Sequence, residues 1–128
     1  EARFLAVGQV KPSEVPLYLA AFDVCALPLP FTEHFAYYAS PLKLFEYMCV
    51  GKAILASELP AIAEVVQHEE TALLCPPEDR DAFGAALTRL FEDAPLRARL
   101  GEAARARSAD YTWAARAAHI LSAARSLR

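Results

Sequence analysis

Lys43 and Glu46 stand three residues apart in a stretch, SPLKLFEYMCV (40–50), whose other members are almost all apolar. A serine and a proline open it, as they commonly open helices. Ser40 is placed to cap, and Pro41 to fill the first position, where its missing N–H costs nothing. The N–H groups of Leu42 and Lys43 then project from the amino end, beside the positive pole of the helix dipole. Such an end attracts phosphate or diphosphate, and Lys43 adds a mobile positive charge. Glu46, one turn deeper on the same face, is a carboxylate able to accept two hydroxyl hydrogen bonds, the demand of a ribose diol. The pair therefore describes a site for an anion plus a polyol, which together make a nucleoside diphosphate. From spacing alone, a surface ion pair worth roughly 0.2–0.5 kcal/mol fits equally well. Two points favour a polar crevice. Leu42, Leu44, Phe45, Tyr47, Met48, Cys49 and Val50 leave little of the helix for solvent, and a buried charge without a partner is costly.

The elements that must position this helix are legible around it. Nearly continuous apolar runs at 4–8 (FLAVG), 23–29 (DVCALPL), 53–57 (AILAS) and 71–75 (TALLC) read as strands covered on both faces. Helical patterns at 13–22, 41–50 and 60–68 separate them, with Ser13 as cap and Pro16 in the first turn of one, and Gly51 ending another. This alternation predicts a doubly wound α/β fold with a parallel, Rossmann-like sheet of about four strands and right-handed crossovers. Three helices follow, over about 79–93 with Asp79 as cap, 95–109, and from Thr112, as cap, to near Leu127. The longest link between strands, PLPFTEHFAYYASPLK (28–43), leaves the carboxyl end of the second strand and delivers the chain to Ser40. Ligands of open parallel sheets bind beyond the carboxyl ends of the strands, so a site belongs there.

At 128 residues the chain makes a single domain, and 55% apolar with 23% charged content describes a globular protein. No run approaches the roughly 20 apolar residues needed to cross a bilayer. A net charge of −3 argues against nucleic-acid binding. That charge is uneven: residues 1–78 carry ten acids and four bases, whereas 79–128 carry six acids and nine arginines. The basic part reads as solvated helix faces or as peripheral contact with an anionic membrane. Cys25, Cys49 and Cys75 are odd in number, lie far apart and fall in apolar runs, which points to buried thiols in a reducing, cytoplasmic compartment. His34 reads as a loop residue exposed to solvent, and His68 as a partner of a helix carboxyl end. His119 reads as structural and Trp113 as the anchor of the final helix. Tyr37 and Tyr38 suit either stacking on a ligand or packing in the loop.

The order AVGQV, EVPLYLAAFDVCALPL, SPLKLFEYMCVGKAILAS, LPAIAEVV, TALLCPPEDRDAFGAALTRLFED and PLRARLGEAAR resembles the C-terminal nucleotide-sugar domain of GT-B glycosyltransferases. Within them it is similar to the retaining glycosyltransferases of family 4, the glycosyltransferase group 1 domain. The likeness spans essentially the whole chain and is most specific at SPLKLFEYM with VGKAILAS. It implies a hexosyltransferase parent with a nucleotide-diphosphate sugar as substrate, no metal and no other cofactor. In that family a pair of glutamates eight positions apart marks this helix. The second, which binds ribose hydroxyls, matches Glu46. The first, which contacts the donor sugar, falls on Tyr38, so its role has no carboxylate here; Glu33, five residues earlier, is the nearest. The Leu42 and Lys43 amides match the positions that contact donor phosphates.

The resemblance also implies a fragment. The basic pair that stabilises the leaving diphosphate, and the N-terminal acceptor domain, have no counterpart in these residues. The chain then corresponds to the donor-binding part of a truncated enzyme, without transferase activity of its own. In the resembled sheet the run 4–8 would lack its neighbours, so it would pair beside 23–29 or with another copy, giving a homodimer through the exposed sheet edge. The final helix of such enzymes commonly reaches across to the other domain. A non-catalytic nucleotide-binding or assembly module is the alternative, and a GT-B sugar epimerase is a third reading.

Overall fold

A computed structural model describes residues 4–126. Three parallel strands, β1 (Val24–Leu27), β2 (Ala53–Ser57) and β3 (Leu73–Cys75), form a sheet in the order β1-β2-β3. Val24 aligns with Ala53, and Leu55 with Leu73. The helices are α1 (Val15–Ala20), α2 (Leu42–Cys49), α3 (Pro60–Ala63), α4 (Arg80–Glu92), α5 (Ala94–Ser108) and α6 (Trp113–Ser126). Every residue of β2 and β3 is buried, as continuous apolar runs in a two-sided parallel sheet require.

Side chains alternate across a strand, and β2 divides the core accordingly. Ile54 and Ala56 pack with Leu44 and Met48 of α2 and Ile62 of α3. Ala53 and Leu55 pack with Leu90 of α4 and Leu96 and Leu100 of α5. Asp79 caps α4, its Oδ1 accepting from Ala82 N at 2.9 Å, and Thr112 Oγ1 accepts from Ala115 N at 3.1 Å. Both caps are as the sequence predicts. Asp93 adds a third, accepting from Leu96 N at 2.8 Å.

Several expectations need correction. The run 4–8 forms no strand: Phe4 and Leu5 are 94% and 82% exposed. A strand without a neighbour has nothing to satisfy its N–H and C=O groups, so among the described residues the sheet holds three strands, not about four. The run 23–29 shortens to Val24–Leu27, because Pro28 and Pro30 cannot donate to a ladder. The run 71–75 keeps only Leu73–Cys75 as a strand, preceded by a lone bridge between His68 and Ala72. The helix predicted over 60–68 ends at Ala63, and the chain continues in turns. Ser13 caps nothing; Glu14 occupies the cap position of α1. His68 is no helix-end partner, because its Nδ1 accepts the Leu74 N–H at 2.9 Å. Trp113 anchors nothing, being 84% exposed.

Candidate functional site

Connectivity fixes where α2 begins. It ends three residues before β2, which runs parallel to β1, so its carboxyl end lies at the amino edge of the sheet. Its amino end therefore lies toward the carboxyl edge, reached from β1 through residues 28–41. That connection contains a π-helical turn, His34–Tyr38, where the Ala39 N–H donates to His34 O at 2.8 Å. Such turns are uncommon and recur at functional sites. No periodicity in the sequence announced it.

At the amino end, Pro41, not Ser40, takes the cap position, with φ −73° and ψ 97°. Its carbonyl accepts from Leu44 N at 2.9 Å, and Ser40 gives no side-chain cap. The proline ring suits that φ, and with it the helix starts one residue later than the sequence predicts. Leu42 and Lys43 become its first two residues, whose N–H groups have no acceptor within the helix.

Lys43 and Glu46 are both exposed. No ion pair joins them among the described residues; the pairs formed there are those of Glu69 with His68 and Arg89. The plainer reading of the two charges is thus not what the structure forms. The premise that α2 is sealed all round also fails, since Leu42 is 73% exposed and Cys49 is exposed too. Only Leu44 and Met48 are buried.

Glu46 lines a cleft of about 530 Å³ between α1 and α2, walled by Val15, Pro16, Leu19, Leu42 and Cys49. Leu42 and Glu46 are thus brought together. Lys43 is not in that wall. Ser40 borders a separate groove on the α6 side, and Leu42 reaches both. Tyr38, at the end of the π turn, is 72% exposed and lines neither. Glu33 and His34 are exposed at the start of that turn. The α1 wall was missed in the sequence, although Val15 and Leu19 already showed the i, i+4 spacing of a helix face. On the same helix Tyr47 packs against the core, and burial raises its hydroxyl above its ordinary value, with Cys25 and Glu46 adding to the effect. No cluster of His, Cys, Asp or Glu suited to a metal ion occurs among the described residues. No helix among them is long and apolar enough to cross a membrane.

A parallel sheet wrapped by helices, with a solvent-open helix tip toward its carboxyl edge, places the chain among Rossmann-like α/β proteins. Residues 1–93 match the family model described as "Glycosyl transferases group 1", and the chain belongs to that family. The phosphatidyl-myo-inositol mannosyltransferase of Mycolicibacterium smegmatis is 33% identical over 119 residues, covering 93% of this chain and 29% of that protein. The D-inositol 3-phosphate glycosyltransferase of Corynebacterium glutamicum is 32% identical, covering 95% and 28%. The chain therefore spans less than a third of the length of these relatives. Sucrose-phosphate synthase from Thermosynechococcus elongatus matches with a TM-score of 0.78 at 32% identity, covering 94% of this chain and 29% of that one. The C-terminal domain of a glycosyl transferase group 1 family protein from Francisella tularensis shares the fold at a TM-score of 0.70 and 19% identity, covering 84% and 53%. The fold class is that of GT-B glycosyltransferases, as the sequence implied.

Proposed function

We propose that residues 1–128 are part of the C-terminal, donor-binding domain of a retaining, family 4 hexosyltransferase, which passes a sugar from a nucleotide-diphosphate sugar to an acceptor held by another domain. The open amino end of α2 carries this reading: its first amides lack helix partners, and Glu46, one turn on, forms no ion pair among the described residues. The Leu42 and Lys43 amides, with the Lys43 ammonium, hold the diphosphate, and the Glu46 carboxylate takes the ribose hydroxyls. Pro41 sets the helix start, and Ser40 and Tyr38 border the donor from the loop. The chain alone binds donor without transferring sugar, because the acceptor and the groups that neutralise the leaving diphosphate come from elsewhere in the parent. Cys25, Cys49 and Cys75 are free thiols, which fits a cytoplasmic parent.

Calorimetric titration with UDP, GDP and ADP tests the site. One of them should bind, and Glu46→Ala should weaken it by about 10- to 100-fold, the loss of hydrogen bonds to a charged group. If none binds at millimolar concentration, the fold serves as a non-catalytic assembly module.

A further inference from the structure

We propose that His68 is an acid-sensitive seal on the outer edge of the sheet, closing it only while its imidazole is neutral. β3 comes last in the order β1-β2-β3, and an end strand leaves one row of peptide groups without a strand to meet. Local bonds show which row that is. The Cys75 carbonyl turns toward β2, where it accepts from Glu58 N at 2.7 Å. Ala72 turns the other way, donating to Gln67 O at 3.2 Å and accepting from Glu69 N at 2.9 Å. Peptide groups alternate in direction along a strand, so Leu74 faces outward with Ala72. There its N–H donates to His68 Nδ1 at 2.9 Å. A side chain thus stands where the carbonyl of a fourth strand would.

That bond fixes the state of the ring. A ring nitrogen that accepts carries no proton, so His68 is the neutral Nε2–H tautomer. Protonation puts a hydrogen on each nitrogen, and Nδ1–H then confronts the Leu74 N–H, donor against donor. With 52% of its side chain exposed, the ring turns out to water and leaves the edge N–H without its acceptor. The charged groups around it among the described residues are Glu69, Arg89 of α4 and Arg99 of α5. Nε2 stands 3.7 Å from Glu69 Oε1, a contact that becomes an ion pair only when the ring is charged. The same carboxylate accepts from Arg89 through both oxygens, and Arg99 donates to the Glu69 carbonyl at 2.9 Å. The Arg89 hydrogen bond holds the Glu69 carboxyl below its usual range, so the turn stays tied to α4 and α5 while the ring changes charge. β2 carries no titratable group and β3 only the buried Cys75 thiol. Acid therefore opens one amide of the edge, and the donor-site reading has no bearing on it.

Long-range nitrogen–proton NMR near about pH 8 should find His68 Nδ1 bare and Nε2 protonated; a proton on Nδ1 overturns the proposal. Hydrogen exchange then follows the Leu74 amide from about pH 8 to about pH 5, the range in which histidine changes charge. Corrected for the intrinsic rate, its protection should fall by about 3- to 10-fold, the loss of one net hydrogen bond. Protection of Ile54 and Leu55 in β2 should stay level. No fall at Leu74, or an equal fall at all three, overturns the proposal, the second because the whole domain is then unfolding in acid. His68→Asn sets an amide oxygen in place of Nδ1, an acceptor that does not titrate, and Leu74 should then stay protected throughout the range. His68→Ala should leave it poorly protected throughout. A pH dependence that survives either substitution assigns the effect to another group and overturns the proposal. Circular dichroism checks that the variants fold; if they do not, the tautomer and the contrast between Leu74 and Ile54 in the unsubstituted chain still decide.

Discussion

The three thiols differ by position, and that difference is measurable. Burial pushes the Cys25 thiol up to about 11, with Lys52 opposing only in part. Burial also raises the Cys75 thiol, and the charges of Asp79 and Glu58 add to it. A thiol whose pKa is raised holds almost no thiolate near neutrality, and the thiolate is the nucleophile. Cys49 is exposed on α2 in the same cleft wall as Glu46. Near pH 8, a maleimide or disulfide reagent should therefore consume one thiol quickly and the other two only on unfolding. A nucleotide seated in the cleft should slow the fast reaction. Mass spectrometry of tryptic peptides reads both, and rapid labelling of Cys25 would refute the burial on which the assignment rests. Residue type alone could not have sorted the three, because each sits in an apolar run. Only the packing of α2, with Leu44 and Met48 inward, turns Cys49 outward. Lys43 and Glu46 were legible as candidates because charges stand out in an apolar helix. Their separation from Tyr38 was not, because the π turn that places Tyr38 has no signature in spacing.

At the scale of elements, α5 meets the end of α2 through two glycines. Gly51 adopts φ +67° after α2, a conformation that costs glycine little. A Cβ on Gly101 of α5 would lie 2.3 Å from the Gly51 carbonyl oxygen and 2.9 Å from its carbonyl carbon. Both are backbone atoms with little freedom to yield, so α5 itself would have to move. Gly101→Ala should therefore destabilise the protein, because overpacking of about 2–3 kcal/mol exceeds the gain of about 1 kcal/mol from alanine's helix propensity. Gly84 on α4 is the control: a Cβ there meets nothing within 4 Å, and Gly84→Ala should stabilise by about 0.5–1 kcal/mol. Urea unfolding of the two variants should give opposite signs, and a shared sign would contradict the close approach. Of the four caps read from the sequence, Ser13 and Ser40 do not form and Asp79 and Thr112 do. Asp79 and Thr112 cap as predicted, since a side-chain cap is local chemistry. The run at 60–68 is helix only through Ala63 because Val65 and Val66 are drawn into the core with Ile62. That is a tertiary demand, which no propensity within the segment contains.

Across the whole molecule, burial is graded from one side to the other. β2 and β3 are buried throughout, α4 and α5 close one face over them, and β1 lies at the margin with Ala26 open to solvent. Beyond β1, α1 buries only Leu19, and residues 4–9 are exposed. The parallel α/β order was readable because continuous apolar strands demand cover on both faces. The gradient was not, because FLAVG is as apolar as the strands that did form, and pairing depends on a neighbour that the run itself cannot supply. Amides protected by many buried contacts exchange only through global opening, whereas exposed helices open locally. Hydrogen exchange should therefore find the amides of Ile54, Leu55 and Leu74 slowest, with those of α1 and α6 faster by on the order of a hundredfold or more. Removing residues 1–9 should leave the thermal midpoint nearly unchanged, since the exposed side chains of 4–9 contribute little buried apolar area. Slow exchange in α6 at high protein concentration alone would mean that a second copy covers it. Slow exchange in α1 at every concentration would mean that the open edge beside β1 holds more of the fold's stability than its burial allows.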